Sequence, residues 1–182
     1  MLLLAAAREE LGALSGEVVG LGPVVAAARS AVFIERHRPE AVVLVGTAGA
    51  YPGGPSVGEA IAVRRVGLSY GVAAMGLGYV PRPPAPVSCD EELLAALDLP
   101  RHDVLTTGAI TTDPTLAERI ADGYTAEHLE AFGVAFACQE AGVPFVAVLG
   151  ISHEVGVDAH TQWLTHRDDA QVAARDALSP LL

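Results

Sequence analysis

Few side chains in this 182-residue chain join a reactive group to a setting that would sharpen it. Glu130 is one. From Leu129 to Cys138 the sequence reads LEAFGVAFAC, apolar on almost every face, with Glu130 its only charge. A helix that is apolar all round is buried, and a buried carboxylate is costly unless it meets a donor or a ligand. Two outcomes stay open: an ion pair with an arginine elsewhere, or a carboxylate that accepts hydrogen bonds from a substrate's hydroxyls. His153 is the second. It opens HEVGV, where Val157 stands in place of the second histidine of a zinc-protease HExxH motif. His153, His160 and His166 match no familiar metal-ligand spacing, so no metal and no cofactor are expected. A surface or core histidine without a role is the alternative to a functional His153.

These residues need elements to hold them. Continuous apolar runs such as Ala41 to Val45, AVVLV, suit strands buried on both faces of a sheet. Further strands are predicted at Leu2 to Ala7, Val57 to Val66, His102 to Thr107 and Pro144 to Gly150. Helices are predicted from Gly22-Pro23 to about Arg38, then at Asp90 to Leu97, Pro114 to Ala121 and Ala126 to Ala141. A helical tail is expected over much of Asp168 to Leu182. VPRPPAPV, from Val80 to Val87, excludes regular structure because proline lacks the backbone donor; it reads as a surface loop, with a place beside the site open to it. Alternation of strands and helices implies one α/β domain over 1–182, a three-layer sandwich with a central mixed sheet flanked by helices.

In open α/β sheets ligands sit beyond the carboxyl ends of strands. Those ends carry Arg8, Glu9 and Glu10; Gly46-Thr47-Ala48-Gly49-Ala50; Thr107-Gly108; and Ser152-His153-Glu154. The glycines either let a ligand approach the backbone or merely make turns.

Composition narrows the partners. The net charge is -11, and all 11 basic residues are arginine. That opposes binding to a phosphate backbone, which relies on clustered cations. No segment reaches the roughly 18–20 apolar residues of a membrane span. MLLLAAAREE lacks a basic start and is too short in apolar residues for a signal peptide; a buried first strand is expected. Cys89 and Cys138 have no metal or redox spacing, so a reduced, cytoplasmic setting is expected.

Several segments fall in the order found in one family. GLGPVVAAA (Gly20 to Ala28), VVLVGTAGAYP (Val42 to Pro52), VGEAIAV (Val57 to Val63) and the long stretch from Ala126 to Gly156 resemble the purine nucleoside phosphorylases and methylthioadenosine/adenosylhomocysteine nucleosidases. The resemblance covers most of the chain, with 80–105 aligning poorly. EAFGVA at Glu130 to Ala135 and the later Trp163 look most like the futalosine hydrolase branch, whose members remove hypoxanthine from futalosine in a menaquinone pathway.

The resemblance implies roles. Glu130 would hold ribose hydroxyls. Glu10 falls where a carboxylate activates water, with Glu9 as its fallback, and Thr47 matches a hydroxyl residue near that water. Phe132 would line the substrate pocket, to which the strand ends add Ala48, Gly49 and Thr107. Ser152 and His153 fall at a Ser-Asp or Ser-Asn pair that meets the purine near N7. The chain departs from the family at His153, at Leu149 in place of a common arginine, and at Leu129 and Ala131 around Glu130.

The reaction implied by those roles is hydrolysis of an N-ribosidic bond, with Glu10 as general base and a protonated His153 donating to the departing base. A histidine of ordinary pKa, ~6.5, would be available for that near neutrality. The absent arginine disfavours phosphate as nucleophile, although Arg64, Arg65 or Arg82 could enter the site. The expected partners are a nucleoside substrate and further copies of the chain in a dimer or larger homo-oligomer. The rivals are a nucleoside phosphorylase, a methylthioadenosine/adenosylhomocysteine nucleosidase, a non-catalytic nucleoside-binding relative, and a subunit that completes a partner's site.

Overall fold

The structure is a computed structural model that describes residues 1–182. Strand β1 (Leu2–Ala5) lies parallel to β3 (Val42–Ala50), with Leu2, Leu3 and Leu4 opposite Val42, Val43 and Leu44. Strands this apolar persist only where both faces are covered, and both are buried along these runs. Strand β8 (Phe145–Glu154) runs parallel along the full length of β3 on its other edge.

The sheet then turns back on itself. β8 also pairs antiparallel with β4 (Ala60–Leu68), and β4 pairs parallel with β6 (Arg101–Thr106). β6 pairs parallel with β7 (Ala126–His128), and β7 returns antiparallel to the far end of β3. Five strands of the mixed eight-stranded sheet therefore close a ring. β2 (Glu17–Val18) extends it beyond β1, and β5 (Val87–Ser88) beyond β4.

Helix α6 (Ala131–Ala141) packs on the sheet and is itself covered by α2 (Pro23–His37), while α7 (Ala159–Asp176) lies along β8 and β3. The short helices are α1 (Arg8–Leu11), α3 (Gly71–Ala74), α4 (Glu91–Ala95) and α5 (Pro114–Ala121). Local chemistry explains their starts: proline begins α2 and α5, and the side chains of Asp90 and Asp113 accept first-turn N–H groups of α4 and α5. No helix is long and apolar enough to cross a membrane.

The expected α/β architecture holds, with helices flanking a mixed sheet, but several boundaries move: the strand expected at Val57 to Val66 lies at Ala60–Leu68, and Val87, the last residue of the proline-rich segment and itself not a proline, pairs with Val66 in β5. Gly46 to Ala50 is not a turn after a strand but the second half of β3, because β8 supplies a partner along it. Ser152, His153 and Glu154 likewise end β8 rather than follow it. Ala126 to His128 is a strand, so the helix expected from Ala126 starts only at Ala131. The last helix begins at Ala159, nine residues before Asp168.

The core centres on the strand rows, where Leu4, Leu44, Ile61 and Ile151 are fully buried. Truncating Leu44 to alanine leaves a cavity against one face of the sheet and should cost about 2–5 kcal/mol. Urea denaturation checks this: the midpoint should fall with the m-value unchanged.

Candidate active site

β3 has two neighbours on one edge. β1 stops with Leu4 opposite Leu44, and β7 comes in with Glu127 opposite Gly49. Between these pairings β3 has no strand on that side, and backbone donors there need another partner. Glu10 provides it. Its Oε1 accepts the Thr47 N–H at 3.2 Å, and its Oε2 accepts the N–H groups of Ala6 and Ala7 at 2.9 and 3.2 Å. The carboxylate thus ties the end of β1 to the middle of β3, and burial pushes its pKa above the usual range.

A cleft of about 550 Å³ opens at this gap. Ala6, Ala7, Glu9 and Glu10 form one wall, and Thr47, Ala48 and Gly49 form the floor. Glu127, His128, Leu129 and Glu130 contribute from the junction of β7 and α6, and His153 from β8. His160, Trp163, Arg167, Asp168 and Gln171 face it from α7. The volume suits a small organic ligand.

Glu130 is the residue before α6 rather than part of its body. No arginine pairs with it; the Gly22 N–H donates to its Oε1 at 2.8 Å. Oε2 lies 3.3 Å from His128 Nδ1. Burial pushes the Glu130 pKa up to about 6, against the opposing pull of the Gly22 donor. Glu127 is also buried, but Tyr51 and Thr111 satisfy it with three hydrogen bonds, so it anchors the loop at Thr111.

His153 is aimed by a bulge. Ala48 pairs with Ile151 but Gly49 with His153, so Ser152 is the extra residue. Its Oγ lies 3.2 Å from the Ala48 carbonyl and 3.0 Å from His153 Nδ1. Both contacts are satisfied when the hydroxyl donates to the carbonyl and Nδ1–H donates to the hydroxyl oxygen. Nε2 then carries a free lone pair; it is buried, unpartnered within the protein, and on the cleft. Gly49 is required beside it, because a Cβ there would collide with Nε2.

Burial lowers the His153 pKa to about 4. This corrects the expectation of a protonated His153 near neutrality: in the free protein the ring is neutral and its unpartnered Nε2 is an acceptor.

The cleft thus brings together Glu10, Thr47, Ala48, Gly49, Glu130 and His153. Ser152 does not line it and acts through His153. Thr107 lines a separate depression with Ser69 and Leu116, because β6 ends on the far side of β7. Phe132 does not line the cleft; it is buried on α6, stacked on Phe136, with its N–H bonded to Thr106. The proline-rich 80–87 segment contributes nothing to the cleft.

Sequence reasoning missed His128 because its strand was read as helix. It missed most of the α7 wall because the helix was started too late. His160, Trp163, Arg167 and Gln171 recur at helical spacing, a signal that an earlier start would have exposed.

The family profile of the phosphorylase superfamily matches residues 12–181. The chain belongs to this superfamily. It is 34% identical over 161 residues to futalosine hydrolase of Thermus thermophilus, covering 80% of this chain and 72% of that protein. It is 28% identical over 174 residues to 5'-methylthioadenosine/S-adenosylhomocysteine nucleosidase of a Geobacillus species, covering 86% and 75%. Among solved structures, the corresponding nucleosidase of Neisseria meningitidis, in complex with methylthio-immucillin-A, superposes with a TM-score of 0.85 at 19% identity, covering 98% of this chain and 96% of that one. Futalosine hydrolase of Helicobacter pylori gives 0.83 at 18% identity, covering 98% and 95%. These likenesses show that the fold is the superfamily's.

Both cleft histidines, His128 and His153, have pKa values lowered from 6.5 to about 4, largely by burial. A depressed folded pKa means the unfolded chain binds more protons in this window, so stability is lost as pH falls from about 6.5 towards 4. NMR titration of the ring resonances should show both rings neutral at pH 6. A midpoint near 6.5 for His153 would show that its ring is solvated.

Proposed function

We propose that this superfamily member is an N-ribosyl hydrolase that releases the base from a purine nucleoside of the futalosine type, giving hypoxanthine. The observation that carries the proposal is the pairing of two buried carboxylates, Glu10 and Glu130, on one cleft with a histidine acceptor. In this reading Glu10 is the general base toward water. Glu130 keeps Oε2 free of backbone donors and is suited to sugar hydroxyls. Thr47, Ala48 and Gly49 lie under the ligand, and Ser152 fixes His153. Arg167 is the one arginine on the cleft, and it sits over Trp163 with its guanidinium carbon 4.8 Å from the ring centre. Leu149 is fully buried beside Gly46. This supports water over phosphate as nucleophile.

The same reading takes 1–182 as one domain, in the cytoplasm, and as part of a homo-oligomer. Leu21 at the cleft mouth and Val24 on α2 are 72% and 79% exposed, and such an apolar surface favours self-association. Light scattering at micromolar concentration should give at least twice the 18.7 kDa chain mass.

A second reading is favoured by one observation. The free lone pair on His153 Nε2 suits the exocyclic amine of adenine, a hydrogen-bond donor. That points to methylthioadenosine or adenosylhomocysteine as substrate. Chromatography of released bases from futalosine, inosine, methylthioadenosine and adenosylhomocysteine separates the two readings. Binding of a nucleoside without release of any base would favour a non-catalytic relative.

Glu130→Gln keeps the shape and loses the charge. Charge-assisted hydrogen bonds contribute about 1.5–3 kcal/mol, so nucleoside affinity should fall roughly 10- to 150-fold for one such bond. Calorimetry with the same panel checks this, and unchanged affinity throughout would make Glu130 structural. In wild type, Glu130 is charged only above its raised pKa of about 6. kcat/KM should therefore fall as pH drops through about 6, and this limb should weaken in Glu130→Gln.

A further inference from the structure

His128 is a buried histidine of the cleft whose arrangement the hydrolase reading has not used. Its Nδ1 accepts two backbone hydrogen bonds, from the N–H of Glu130 at 3.0 Å and of Ala131 at 3.1 Å. A nitrogen at which two N–H groups point carries no proton of its own, so the neutral ring keeps its proton on Nε2. Glu130 Oε2 lies 3.3 Å from the same Nδ1. A proton placed there to meet it would collide with both shorter backbone contacts. His128 therefore offers a fixed N–H donor, and its Nε2 has no hydrogen-bond partner within the protein.

That donor and Glu10 converge on one point. If Gly46 carried a Cβ, His128 Nε2 would be 3.2 Å from it and Glu10 Oε1 3.0 Å. The two atoms form no direct ion pair, so they are more than 4.0 Å apart and less than the sum of those two distances. A single water hydrogen-bonded to both would separate them by about 4.5–5.5 Å. Oε1 accepts only the Thr47 N–H and retains a lone pair for another donor.

We propose that His128 holds the attacking water against Glu10, with Nε2–H donating to the water oxygen while the water donates one proton to Glu10 Oε1. This role rests on the hydrolase reading above. The second lone pair of the water is left for the anomeric carbon. As its oxygen bonds to that carbon, the proton passes to the Glu10 carboxylate. The electron pair of the breaking carbon–nitrogen bond leaves with the base, which takes a proton from solvent. A neutral donor suits this place, since an imidazolium would pair with Glu10 and reduce its basicity. Burial keeps the ring neutral near pH 7.

The two functions of the ring can be separated by substitution. In His128→Asn the side-chain oxygen can take the place of Nδ1 and keep the start of α6 capped, but nothing reaches the position of Nε2. In His128→Gln the amide nitrogen reaches that position while the cap is weakened. With whichever nucleoside wild type cleaves, His128→Asn should lose kcat by about 10²-fold, with KM and the affinity for an uncleavable nucleoside analogue within about threefold of wild type. His128→Gln should recover at least about a tenth of wild-type kcat despite a lower melting temperature. A crystal structure with that analogue should show a solvent peak within hydrogen-bond range of both atoms.

Wild-type kcat in His128→Asn overturns the water role and leaves the hydrolase reading standing. So does a loss of kcat in both variants that tracks melting temperature and affinity alike, which would make His128 a helix cap only. Failure of wild type to release any base would overturn the hydrolase reading and the water role together.

Discussion

The site depends on one short stretch of β3 that has no strand beside it. β1 and β7 approach the same edge from opposite ends and leave a gap. An exposed strand edge in the middle of a sheet is costly because its donors need partners. Glu10 answers this by accepting three backbone N–H groups, one of them from β3 itself. Glu10 is thus a structural link, and the gap it bridges is the cleft. Ligand access and backbone satisfaction come from the same break in the pairing.

Around that break, burial does most of the electrostatic work. It raises the pKa of Glu10 and Glu130 and lowers those of His128 and His153. All four shifts have the same cause: the charged form is disfavoured away from water. The consequence is a site poised between charged and neutral forms rather than a set of fixed ion pairs. Each imidazole is held in one orientation by neighbours on its Nδ1, backbone N–H groups for His128 and the Ser152 hydroxyl for His153. These neighbours assign opposite roles to the two Nε2 atoms, a donor on His128 and an acceptor on His153.

The structure accommodates the residues at which the chain departs from the family it resembles. Leu149 is apolar and fully buried beside Gly46, and the donor proposed on His128 is on the side of Glu10. His153 is accommodated because Gly49 leaves room for its ring and the bulge at Ser152 turns it inward. Both histidine rings are buried and held through Nδ1.

By itself the sequence determined the α/β class, the burial of the apolar strands, the proline-led starts of α2 and α5, and the isolation of Glu130 in an apolar run. These come from periodicity, backbone restriction and transfer free energy, which are local. The order of segments also carried the superfamily resemblance, and with it Glu10, Thr47 and Glu130. Only the tertiary structure decided that β3 and β8 continue through their polar ends, because a strand is maintained by partners distant in sequence. It likewise decided that Ala126 to His128 is a strand, that Thr107 and Phe132 stand outside the cleft, and that His153 is neutral. Strand pairing, cleft membership and pKa are set by which residues meet across the fold, and none of the three is encoded in the spacing of neighbours along the chain.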